Sequence, residues 1–169
     1  MQSLEELNAA TTTDALTALL ACCGSTRWAR EMVDKRPFED LHELYVTAEH
    51  VWWSLDEVDW LEAFRAHPKI GEKRSSETSL SDRWASDEQS SAGRAQSETL
   101  DALRKANQDY ERRFGYIFIV CATGKSADQM LALLIERITN EPDTEIRIAG
   151  EEQARITKLR LNKLLGKLE

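Results

Sequence analysis

No stretch of this chain reaches the roughly 18 consecutive apolar residues that a membrane-crossing helix needs. Its opening residues, Met1-Gln2-Ser3-Leu4-Glu5-Glu6, lack the basic and apolar regions of a secretion signal, and its last residues do not form a peroxisomal Ser-Lys-Leu address. The expectation is an intracellular, cytoplasmic protein with no membrane partner. Positive charge is also scarce, with 22 Lys and Arg against 30 Asp and Glu, a net charge of −8. Binding a nucleic acid duplex or an anionic membrane requires a clustered positive face, so neither is expected. An anionic substrate would have to be met by a local basic pocket. Cysteine is limited to Cys22, Cys23 and Cys121, an odd number whose adjacent pair cannot form a Cys-x-x-Cys metal knuckle. Reduced, buried thiols are the expectation, and the apolar neighbours Phe118, Ile119 and Val120 argue against a thiolate nucleophile at Cys121. Alternating apolar and polar runs bounded by hairpin turns are missing, as are internal repeats and low-complexity tracts.

What is present is helical. With 169 residues, 41% of them hydrophobic, the chain can build one real core, and residues 1–169 are read as a single domain. The fold class is all-α, a multi-helix bundle. Ser3 with Glu6 forms a capping box for a short first helix, and Asp14 can cap a second that ends at Gly24. Ser25 opens a third, stopped by Pro37. From Asp40 the positions Leu41, Leu44, Tyr45, Ala48, Val51 and Trp52 keep a helical stripe until Ser54, which with Glu57 offers another capping box. The helix that follows, carrying Val58, Leu61 and Phe64, delivers His67. Residues 72–82 hold one large apolar side chain and read as a surface loop or lid. Ser86 with Gln89 can cap a long helix running to Gly115. Tyr116 through Ala122 has high β propensity but no partner strand, so a short extended segment near 116–122 is expected between helices. Ser126 caps a helix to about Thr139, Pro142 interrupts, and a last helix runs from about Thr144 to Leu165.

Three histidines occur, and one stands apart. In His67-Pro68-Lys69-Ile70-Gly71 the proline disfavours the α conformation of the residue before it, which puts His67 just past a helix end with its imidazole available for chemistry. A helix cap is the alternative reading. Glu39 and His42 have Glu-x-x-His spacing, but a carboxylate-bridged metal site needs a second such pair, which is missing. His42 and His50 are about 12 Å apart along a helix axis, too far to share an ion. No metal site is expected. Gly124-Lys125-Ser126 copies the end of a phosphate-binding loop, but the glycine such a loop requires upstream is replaced by Ile119. Glu88 can stabilise the start of the long helix or orient an imidazole. Arg160, with Lys158 and Lys163 on neighbouring turns, can belong to a solvated basic face or serve as a planar fork for a carboxylate or cyclic urea.

Four separated pieces, His67-Pro68-Lys69-Ile70-Gly71, Trp84-Ala85-Ser86-Asp87-Glu88-Gln89 with Ala92-Gly93, Phe114-Gly115-Tyr116-Ile117-Phe118-Ile119, and Lys158-Leu159-Arg160-Leu161, occur in one order over nearly the whole chain. This resembles the 2-oxo-4-hydroxy-4-carboxy-5-ureidoimidazoline (OHCU) decarboxylases of uric acid breakdown. The resemblance implies an all-α, commonly homodimeric carboxy-lyase without metal or organic cofactor, acting on a small anionic ureide. It implies that His67 is the catalytic acid–base residue, that Glu88 works beside it and that Arg160 holds the substrate. It further implies that Pro68, Ala85, Ser86, Gln89 and the backbone of Ile119, Val120, Cys121 and Ala122 line the pocket. Many relatives carry serine where this chain has Ala85, so a hydroxyl contact there would come from Ser86 or be omitted. The competing readings are a helical interaction module built on Trp52, Trp53, Trp60 and Trp84, and a lyase or hydrolase acting on a related cyclic ureide.

Overall fold

A computed structural model of the chain describes residues 3–69, 84 and 97–167. Among these residues every regular element is a helix, as the missing strand periodicity predicts. The elements are α1 (Leu4–Ala9), α2 (Thr12–Cys23), α3 (Thr26–Asp34), α4 (Leu41–Ser54), α5 (Glu57–Arg65), α6 (Ser97–Phe114), α7 (Ala127–Arg137) and α8 (Pro142–Leu164). They fall into two compact units, one of residues 1–63 with 154–169, the other of residues 64–153. The division falls within α5 and α8 and not in a linker.

In the first unit α2 packs on α3 and α3 on α4. Local capping sets most of these boundaries. Ser3, Ser25 and Asp40 each accept the backbone N–H three residues on, satisfying donors that a helix start leaves without intrahelical partners. Two expected caps move. Thr11, not Asp14, caps α2: its hydroxyl accepts the Asp14 N–H and donates to the Asp14 carboxylate. Ser54 opens no box with Glu57; it lies in the last turn of α4 and donates to the Val51 carbonyl, while the Trp60 N–H reaches the Asp56 carbonyl to start α5. Gly24 ends α2 with φ at +87°, in the left-handed region where only glycine is unstrained.

Leu7, Leu19, Trp28, Met32 and Leu44 are completely buried in this unit. The indole N–H of Trp28 donates to the Ala48 carbonyl at 3.0 Å and that of Trp60 to the Trp52 carbonyl at 3.0 Å, so neither aromatic leaves a polar atom stranded. Trp52 and Trp60 stack, with Trp53 edge-on to Trp60. The tryptophans form core, with only Trp53 substantially exposed among those of this unit. Glu62 reaches the first turn of α3, accepting from both the N–H and the hydroxyl of Thr26. Cys22 and Cys23 are buried thiols, neither of them in a disulfide. Burial pushes both upward, Cys23 to about 12; the Arg160 guanidinium offsets this in part at Cys22, and hydrogen bonds with Ser25 and Thr157, then Arg160, do so at Cys23.

In the second unit α6 packs on α7. Gly115 ends α6 with φ at +80°, and a left-handed backbone there excludes most other residues even though a side chain would have room. Residues 116–122 are neither helix nor strand, as expected of a segment without a partner strand. Gly124 sits in a turn closed by the Lys125 N–H to the Ala122 carbonyl. Ser126 then opens α7 with a capping box to Gln129. Pro142 does not interrupt a helix: it occupies the first position of α8, where its missing N–H costs nothing and its fixed φ suits the turn. The expected loop or lid at 72–82 and the helix start at Ser86 lie outside the described residues.

Candidate active site

Helix α5 ends at Arg65, and the His67 N–H closes the last turn on the Phe64 carbonyl at 3.2 Å. The break predicted from Pro68 is therefore where the sequence puts it. The imidazole is half-buried. Its Nε2 lies 2.7 Å from Oε1 of Gln153, a completely buried glutamine on α8. Two residues on, Lys69 Nζ lies 2.6 Å from the Glu111 carboxylate on α6, tying the strip after the break to a second helix.

The 116–122 segment has no ladder, so its backbone has to find partners elsewhere. Side chains supply them. Arg137 Nη1 donates to the Ile119 carbonyl at 2.8 Å, Glu152 accepts the Cys121 N–H at 2.7 Å, and Lys125 Nζ donates to the Cys121 carbonyl at 2.7 Å. Lys125 and Ser126 are thus engaged within the fold, one on this carbonyl and one as a cap, in keeping with the rejection of a phosphate loop. Arg137 is itself fixed. Its Nε and Nη2 lie 2.9 and 2.6 Å from Glu145 Oε1, and the guanidinium stacks 4.6 Å above the Phe118 ring. Glu145, with no exposed surface, also accepts from the Tyr110 hydroxyl and from Asn140. Burial, and then this bond to Glu145, push the Tyr110 phenol well above its ordinary value, so it stays a donor. Ile119, Val120 and Ala122 are buried and Cys121 half-buried, and Phe64 and Tyr110 pack their rings against Tyr116.

Arg160 belongs to the first unit. Of the three residues read as a basic face, Lys158 is exposed and Lys163 half-buried, and the solvated-face reading fails for Arg160, which is only 2% exposed. A guanidinium so withdrawn from water needs partners that match it; one Nη1 donates to the Ala21 carbonyl at 3.4 Å. His42 and His50 are exposed, and among the described residues no three His, Cys, Asp or Glu side chains are grouped as a metal would require.

Of the residues singled out from the sequence, His67 and Pro68 lie at the break, and Ile119 through Ala122 form the side-chain-held segment. Ala85, Ser86, Glu88 and Gln89 lie outside the described residues. Sequence reasoning missed Gln153, Glu152 and the Arg137–Glu145 pair. A signal existed: the buried positions of α8 include Glu145, Ala149, Gln153, Ile156 and Arg160 at helical spacing, and polar residues there interrupt an otherwise apolar stripe.

The OHCU decarboxylase family model matches residues 8–162. The chain belongs to the OHCU decarboxylase family. It is 38% identical over 148 residues to the uric acid degradation bifunctional protein TTL of Arabidopsis thaliana, covering 86% of this chain and 45% of that one. It is 30% identical over 135 residues to the 2-oxo-4-hydroxy-4-carboxy-5-ureidoimidazoline decarboxylase of Haloferax volcanii, covering 79% of each. This chain thus spans less than half of the bifunctional plant protein and most of the archaeal one. A crystal structure of an OHCU decarboxylase in the presence of (S)-allantoin superposes with a TM-score of 0.76 at 38% identity, over 86% of this chain and 95% of that one. The relatives named here are a decarboxylase and a bifunctional protein of uric acid degradation. No helix among the described residues is long and apolar enough to cross a membrane.

Proposed function

We propose that this chain converts 2-oxo-4-hydroxy-4-carboxy-5-ureidoimidazoline to (S)-allantoin and carbon dioxide, with His67 as the acid–base residue. The observation that carries the reading is the imidazole of His67, presented just past the end of α5 and gripped by Gln153, in a chain whose family is that of the OHCU decarboxylases. Glu88 works beside His67. Arg160, a buried fork with affinity for planar anionic groups, holds the carboxylate or the ureide ring. Pro68, Ala85, Ser86, Gln89 and the backbone of residues 119–122 line the cavity, and the chain acts as one domain, cytoplasmic and homodimeric, without a cofactor.

The chemistry makes that economy reasonable. Loss of carbon dioxide leaves an electron pair on the former quaternary carbon, and a C=N bond adjacent to it in the ring accepts the pair. The substrate is its own electron sink, so the protein's work reduces to orientation and proton delivery. His67 bonds the substrate hydroxyl or carboxylate and favours the rotamer in which the breaking C–C bond stands perpendicular to the ring. Protonation from one face then sets the S configuration.

The test is an assay on freshly generated substrate followed by circular dichroism, because spontaneous decay gives racemic allantoin and only chirality reports the enzyme. A histidine in this role contributes about 10²- to 10⁴-fold, so His67→Asn should lower turnover by that factor. Racemic product from the unaltered chain, or wild-type turnover from the His67→Asn chain, defeats the reading. Sedimentation at assay concentration checks the homodimer.

A further inference from the structure

We infer that Gln153 is the positioning residue that fixes where His67 carries its proton. The inference rests on the acid–base role given to His67 above. A completely buried glutamine is expensive to maintain, because an amide removed from water must recover its hydrogen bonds, whereas leucine or methionine would fill the same space without that demand. The return is at the imidazole: Gln153 Oε1 lies 2.7 Å from His67 Nε2. A carbonyl oxygen only accepts, so Nε2 is the donor and carries a hydrogen in both the neutral and the charged ring. In the neutral ring the lone pair is then on Nδ1.

The contacts that hold the backbone here do not by themselves set the ring torsion. The backbone at the break is held by the His67 N–H to Phe64 and by the Lys69–Glu111 pair. The χ2 torsion of a histidine is soft and nearly two-fold, so a held backbone does not choose which ring edge faces which way. A bond from α8 does. An amide is suited to the task, since it orients the ring without adding a charge that would retain the proton. The adjacent Glu152 binds the Cys121 N–H, so two consecutive residues of α8 hold the imidazole and the 119–122 backbone.

The experiment is nitrogen NMR of the chain labelled with ¹⁵N-histidine, the His67 signals being those lost in His67→Asn, combined with steady-state kinetics on the same samples. Above the ring's titration the wild-type His67 should show the Nε2–H tautomer. Gln153→Met should mix the two tautomers and lower kcat about tenfold, the scale of one lost hydrogen bond, with KM within about twofold. Gln153→Glu keeps an acceptor at the same reach and should retain the Nε2–H form. An Nδ1–H tautomer in the wild-type chain overturns the inference, and that reading needs no variant to fold. So does a folded Gln153→Met chain with wild-type shifts and kcat. If His67→Asn is inactive while Gln153→Met is unchanged on both counts, this inference falls and the acid–base role stands. If His67→Asn is fully active, the acid–base role falls first.

Discussion

The helices α1–α4 and the segment 116–122 solve the same problem in opposite ways. In α1–α4 the backbone satisfies itself along most of its length and short side chains finish the starts, Ser3, Thr11, Ser25 and Asp40, with indole N–H groups inside. In 116–122 the backbone has no regular partner, so charged side chains from α7 and α8 and from the following turn reach in to hold single carbonyls and N–H groups. A buried charge is tolerable only when it is matched, which is why Arg137 brings Glu145, and Glu145 brings Tyr110 and Asn140. The lesson is that an irregular strip of backbone, of the kind a small polar substrate can use, draws its partners from long side chains on other elements, where a regular helix needs them only at its ends.

This contrast can be broken or sharpened. The largest effect on stability should come from Arg137→Met, which strands the Glu145 carboxylate in the core and should cost about 3–5 kcal/mol in denaturant unfolding. Removing both charges with Arg137→Met and Glu145→Leu should recover most of that stability while raising amide hydrogen exchange at 117–122, because the Ile119 carbonyl still lacks its donor. Equal exchange in the double variant and the wild type would mean that the pair does not hold the segment. Next, Leu19→Ala in the apolar core beneath α1–α4 should cost about 2–5 kcal/mol and leave kcat unchanged in the folded fraction; a fall in kcat at constant folded fraction would blur the division of labour.

A smaller, pH-dependent effect belongs to Cys22 and Cys23. Their folded values lie above the ordinary thiol value of 9.0, so the unfolded chain releases these protons first as pH rises. The stability they contribute is complete below about pH 8 and declines from about pH 9 towards 12, by about 1.4 kcal/mol per pH unit for each thiol. Cys23→Ala should flatten the alkaline fall in melting temperature by one thiol's share, and an unchanged slope would place the titration elsewhere. Smallest is Ser126→Ala, the loss of one cap on α7, at about 1 kcal/mol. Urea midpoints check it.

Caps were legible in the sequence where one candidate stood alone before an apolar stripe, as at Ser25, Asp40 and Ser126. They were misplaced where several polar residues competed within one turn, as along Thr11 to Asp14, because spacing does not say which of them adopts the extended backbone of a cap. Pro142 was misread for a related reason: a proline that ends one helix and a proline that begins the next look alike until the φ angles on either side are known. His67 was legible, since Pro68 acts on its immediate neighbour. Gln153 was legible only as a polar residue on an otherwise apolar stripe of α8, which points to its burial and not to the group it meets.

The sequence by itself determined the helices, the break after α5, the exclusion of a phosphate loop at 124–126 and the family, all of which depend on residues near one another in the chain or on ordered motifs. Only the tertiary structure decided that Gln153 meets His67 across 86 residues, that Arg137 and Glu152 hold the 119–122 backbone, and that Arg160 is buried while Lys158 is not. The reason is the range of the forces. Torsional preference and capping act within a turn or two of chain, whereas the match of a buried polar atom to its partner is settled only when packing has removed the water that would otherwise have served both.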